Sequence, residues 1–114
     1  LTVALNVSIS DATTISTFQK EISSKLAKEL GKPEKWMMIV VQPNTPITFG
    51  GSDEPAAYST LHSIGGIEAS TNGRAAKLVS SLIQTHFGIN PERIYVTFTD
   101  YSPANYAWNG NTFA

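Results

Sequence analysis

A lysine held between glycine and proline, Gly31-Lys32-Pro33, is the most suggestive group for chemistry in this chain. The glycine ends a helical pattern and the proline bars its resumption, so Lys32 sits at a turn where a cation could meet a ligand. Read alone, it is an ordinary solvated lysine near a helix C-terminus, where positive charge is favoured. Other candidates offer less. His62 and His86 have no carboxylate cluster or ligand spacing around them, so no metal site is expected. Gly50-Gly51 and Gly65-Gly66 lack the pattern of a phosphate loop and read as turns. Asp53-Glu54 runs into Pro55 and reads as exposed loop. Trp36, Trp108 and Phe113 read as packing, and Tyr95, between Ile94 and Val96, as one residue of a strand. No cysteine is present, which excludes disulfides, thiol redox chemistry and thiolate metal sites.

The elements that must position Lys32 follow from periodicity. Leu1, Val3, Leu5 and Val7 alternate, as in a half-buried strand. A Ser- and Thr-rich loop follows. Ile15, Phe18, Ile22, Leu26 and Leu30 then recur at helical spacing up to Gly31. Trp36 to Val41 is apolar without alternation, which predicts a strand covered on both faces. Ile47-Thr48-Phe49 predicts a short extended piece, and Ala57 to Ile64 a further strand. A second helix is expected from a cap at Thr71 or Asn72 to Gly88, then a strand over Arg93 to Thr99. Aromatic residues on either side of Asn109-Gly110 predict a small terminal hairpin.

This order contains a repeat. Pro33-Glu34-Lys35 falls on Pro91-Glu92-Arg93 at an offset of 58 residues, so one helix-turn-strand unit is used twice. The prediction is a single α+β domain over residues 1–114, with halves of about 1–57 and 58–114. Its two βαβ units form a four-stranded mixed sheet with both helices on one face, plus short terminal strands. The strands look too apolar to leave the second sheet face to water, so oligomerisation is expected. With 114 residues the chain is long enough for a core, yet only 15% of it is charged, low against the usual quarter. Eight basic and nine acidic residues are well mixed, which speaks against nucleic acid and anionic membranes as partners. No signal peptide or membrane-length apolar run is recognisable, so a cytoplasmic protein is expected.

Gly31-Lys32-Pro33, Ile47-Thr48-Phe49-Gly50-Gly51-Ser52, Leu61-His62-Ser63-Ile64-Gly65, Arg93-Ile94-Tyr95 and Trp108-Asn109-Gly110-Asn111-Thr112-Phe113-Ala114 together resemble the macrophage migration inhibitory factor family. The similarity runs in order along almost the whole chain. It implies the tautomerase fold, a homotrimer whose sheets line a central channel, and keto–enol tautomerisation of phenylpyruvate-like aromatic 2-keto acids without a cofactor. The base in the family is an N-terminal proline. An apolar pocket and a nearby lysine both disfavour protonation of such an amine. By resemblance, Lys32 and the Ile64 backbone bind the substrate carboxylate, Tyr95 and Thr97 come from an adjacent subunit, and Trp36, Tyr106, Trp108 and Phe113 wall the ring pocket.

Three positions depart from the family. Leu1 stands where the proline is expected, so Leu1 either replaces the proline or follows it, with Asn6-Val7 then in register and the loop before the helix longer by two residues. A chain beginning at Leu1 is expected to have weak or no tautomerase activity, because its primary amine lacks the proline ring and can form imines. Thr97 replaces an asparagine, which shortens the reach of that hydrogen-bonding group. Ala57-Tyr58-Ser59-Thr60 replaces a Cys-x-x-Cys, so thiol oxidoreductase activity is not expected. The alternative function implied is that of a cytokine-like protein, secreted without a signal peptide, that binds a cell-surface receptor without significant catalysis.

Overall fold

The structure, a computed structural model, describes residues 1–114. Strand β1 (Thr2–Leu5) leads into helix α1 (Ala12–Leu30) and back to strand β2 (Val40–Gln42). Strand β3 (Ala57–Ser63), helix α2 (Ala69–Phe87) and strand β4 (Ile94–Asp100) repeat the pattern, and a hairpin of β5 (Ala107–Trp108) and β6 (Asn111–Thr112) ends the chain. The four long strands lie in the order β2-β1-β3-β4. Each βαβ pair is parallel, and the two units meet through antiparallel β1 and β3, with Thr2 opposite Thr60. The mixed sheet and the repeat agree with the sequence.

One face of the sheet carries both helices. Val3 and Leu5 of β1 and Ala57, Ser59, Leu61 and Ser63 of β3 are buried there, against Phe18, Ile22 and Leu26 of α1 and Ala75, Val79 and Ile83 of α2. Alternation along the strands sends their neighbours to the other face. That face carries Thr2, Tyr58, Thr60, His62, Tyr95, Thr97 and Thr99, so it is hydroxyl-rich and aromatic rather than too apolar for water. The expectation drawn from strand composition averaged two faces that differ.

Helix ends follow local chemistry. Asp11 caps α1, accepting from the Thr13 N–H at 2.9 Å and the Thr13 hydroxyl at 2.7 Å. At the other end Gly31 is left-handed (φ 64°), and the Gly31 and Lys32 amides close on the carbonyls of Lys28 and Ala27. Helix α2 starts earlier than expected, after Glu68. Thr71 and Asn72 lie inside its first turn, where the Thr71 hydroxyl donates back to the Glu68 carboxylate and the Asn72 amide to the Glu68 carbonyl.

The largest correction concerns Trp36 to Val41. Glu34–Trp36 forms a single 3-10 turn, residues 37–39 are irregular, and only Val40–Gln42 pairs as β2, at the sheet edge. Ladder residues further out are also shorter than expected: β1 stops at Leu5, and Ile47-Thr48-Phe49 contributes only the Phe49–Ser52 bridge. Met37, Ile39 and Val41 pack on the core, whereas Met38 and Val40 are exposed. The run alternates in environment although not in hydropathy. No helix is long and apolar enough to cross a membrane.

Candidate active site

The exposed half of that run lines a cleft of about 800 Å³ at the junction of β1, β2, β3 and the C-terminal hairpin. This volume is within the range of small-molecule sites, roughly 300–1,000 Å³. Its polar end is built from two nitrogens. The Leu1 nitrogen donates to the Met38 carbonyl at 2.8 Å, while the Leu1 carbonyl accepts from the Val40 amide at 2.9 Å. Leu1 is thus held as a further residue of the β1–β2 ladder. Burial pushes its ammonium group below the ordinary pKa of a terminal amine. Desolvation is the cause.

Lys32 reaches the same cleft because the α1 cap turns the chain there. Its ammonium donates to the Ile64 carbonyl at 2.6 Å. An ammonium has three donors, so two remain for a ligand. The Ile64 carbonyl lies just beyond β3, at the start of the turn into α2.

The opposite wall is aromatic. The Trp36 ring meets Trp108 edge-on at 5.2 Å and Phe113 at 5.7 Å, and Tyr106 lies 6.3 Å from Phe113. Edge-to-face contacts at these separations are favourable for aromatic pairs. The hairpin that presents these rings turns at Asn109-Gly110, both with positive φ, as expected of a two-residue primed turn. It is tied down by the Phe113 amide, which donates to the Pro103 and Tyr106 carbonyls.

Of the residues singled out in the sequence, Leu1, Lys32, Trp36, Ile64, Tyr106, Trp108 and Phe113 all line this one cleft. Tyr95 and Thr97 do not. They stand exposed on the open sheet face, Tyr95 with its ring 5.0 Å from Phe49, and the Thr97 hydroxyl donates to the Ser59 carbonyl at 3.4 Å. Met37, Met38 and His62 also line the cleft. The missing alternation of Trp36 to Val41 was the signal for the two methionines, because two apolar environments lie back to back, the core and the cleft; His62, on β3, had none. No group of three or more His, Asp or Glu comes together anywhere in the fold.

Two βαβ units joined in one four-stranded mixed sheet, beside an aromatic cleft that Lys32 lines, define a domain of the tautomerase superfamily. The chain belongs to the macrophage migration inhibitory factor (MIF) family, whose profile matches residues 1–114. It is 36% identical over 110 residues to macrophage migration inhibitory factor of Mus musculus, covering 96% of each chain. The crystal structure of the homologue from Prochlorococcus marinus superposes with a TM-score of 0.93 at 37% identity, over 99% of this chain and 97% of that one. The structure of the Trichinella spiralis protein gives a TM-score of 0.88 at 34% identity, over 98% and 97%.

Proposed function

We propose that this chain acts, as a homotrimer, as a cofactor-independent keto–enol tautomerase of phenylpyruvate-type 2-keto acids. The observation that carries the reading is the opening of the Leu1 nitrogen and the Lys32 ammonium onto one apolar, aromatic cleft. The two free donors of Lys32 take the substrate carboxylate, and the Trp36, Trp108 and Phe113 rings take its aromatic group. In the keto-to-enol direction the amine at the head of β1 removes a proton from the carbon between ring and carbonyl, and the ammonium so formed delivers a proton to the carbonyl oxygen. Ketonisation is the reverse, with the amine taking the enol proton and returning one to carbon. An amine with a depressed pKa is free to do this near neutrality. If a proline precedes or replaces Leu1 in the native protein, its secondary amine fills this role. Tyr95 and Thr97 are carried to a neighbouring subunit's cleft, which accounts for their position on an open sheet face.

Phenylpyruvate ketonisation, followed by ultraviolet absorbance on protein with its native N-terminus, tests the proposal. Acceleration that N-terminal acylation removes is expected. A chain starting at Leu1 should be weaker, because a primary amine is diverted into imines. Native protein that leaves the rate at the buffer value would sink the tautomerase reading.

A further inference from the structure

The Lys32 acceptor is one end of a peptide group whose other end is also held. The Ile64 carbonyl accepts from Lys32 Nζ at 2.6 Å, and the N–H of the same peptide, on Gly65, donates to Asp100 Oδ1 at 2.9 Å. In a trans peptide these two groups point in opposite directions. A carboxylate therefore faces the positive end of the peptide dipole and an ammonium its negative end. Both contacts are charge-assisted, which makes them stronger than neutral hydrogen bonds. Asp100 is able to do this because β4 ends opposite Ser63, where the Tyr101 amide donates to the Ser63 carbonyl at 2.8 Å. The Ser63 hydroxyl donates to the Gly65 carbonyl at 2.7 Å and fixes the next peptide of the turn.

Gly65 lies at φ +73°. A glycine there tolerates rotation of the preceding peptide, since no Cβ opposes the alternative orientation. A rotated Ile64–Gly65 peptide would present its N–H to Lys32, and the ammonium would have to turn away. We propose that Asp100 is a positioning residue that locks this peptide and thereby aims Lys32 at the substrate carboxylate. The inference rests on the reading of the cleft as a carboxylate site. It assigns a role to a residue outside the cleft, at the end of β4 and in the second structural repeat.

The test uses the full chain, with 3-phenylpropanoate as a non-reacting aromatic carboxylate, in a cycle of Asp100→Ala and Lys32→Ala. Asp100→Ala is expected to weaken binding about tenfold when Lys32 is present, the scale of one hydrogen bond to a charged group. It should have no further effect in the Lys32→Ala background. Asp100→Asn keeps an acceptor oxygen and should restore most of the affinity. Equal weakening in both backgrounds, or none, overturns the proposal. A second readout does not depend on binding: Asp100→Ala should shift the Gly65 amide and Lys32 ε-methylene resonances together, and Asp100→Asn should return both towards their wild-type positions. Wild type that does not bind the probe counts against the cleft as a carboxylate site, and an Asp100→Ala response confined to the Gly65 amide counts against the lock.

Discussion

The two helix-turn-strand units place their turn cations at different positions and put them to different uses. In the second unit Arg93 is spent on structure. Its guanidinium donates to the carbonyls of Pro55, Phe49, Ser52 and Glu54, at 2.9 to 3.1 Å, and lies over the Phe49 ring. Together with Asn6, whose amide spans Ile47, Asp53, Glu54 and Ala56, it holds the whole 47–56 loop. In the first unit Lys32 has a single protein partner. The turn position equivalent to Lys32 is Asn90, which caps its own turn by accepting from the Glu92 amide at 2.9 Å. The strands differ in length: β4 runs for seven residues and β2 for three, each at one edge of the sheet. In the second copy the turn and its cation are spent on hydrogen bonds. The first copy is shorter, and the cleft lies beside it.

Substitutions can sharpen or break that contrast. The largest effect on stability should come from Arg93→Ala, which strips four carbonyls of their donor and should cost about 2–3 kcal/mol in urea unfolding. Lys32→Ala should do the opposite, changing stability by under about 0.5 kcal/mol while raising KM for phenylpyruvate at least about tenfold. If Lys32→Ala unfolds the chain as readily as Arg93→Ala does, the two cations are not divided between structure and site.

A smaller effect concerns the amine. Burial lowers the pKa of the Leu1 amine, so in a chain starting at Leu1 the neutral form that the proposed function requires persists to lower pH than for an exposed terminal amine. kcat/KM should rise with pH, with a midpoint below that ordinary value, and fall as pH drops through it. A midpoint at or above the ordinary value would contradict the desolvated setting.

The smallest effect tests the brace between units. Glu21 of α1 binds Lys25 and the His86 ring of α2, the latter at 2.7 Å, and these hydrogen bonds hold its carboxyl below the usual range. A depressed carboxylate contributes its stability in full above the unfolded pKa and loses it as pH falls through the folded one. Thermal unfolding should therefore drop slightly on acidification, and Glu21→Gln should flatten that drop. The Glu21 side chain is 32% exposed, so solvent screening should keep the change small.

Much of this was legible in the sequence. Helical spacing from Ile15 to Leu30, the Gly31 and Gly88 stops and the 58-residue repeat report local physics, and each produced the element expected. Asn109-Gly110 did the same for the hairpin. What failed depends on what lies on each side of an element. Trp36 to Val41 is apolar because it separates core from cleft, and hydropathy does not distinguish a cleft from a second layer of core. The site residues were gathered by resemblance; no spacing rule brings Leu1, Lys32, Ile64 and Trp108 together. Asp100 left no trace in the sequence, because its proposed role passes through a backbone amide 35 residues away in the chain.

On the proposed function, Lys32 and the aromatic wall form one carboxylate-and-ring site. Both tryptophans, Trp36 and Trp108, line the cleft, so their indole N–H resonances report on it directly. Titration with 3-phenylpropanoate should shift both in a saturable way, and Lys32→Ala should raise the concentration needed at least about tenfold. Indole signals that do not move, or that move identically in wild type and Lys32→Ala, would contradict it.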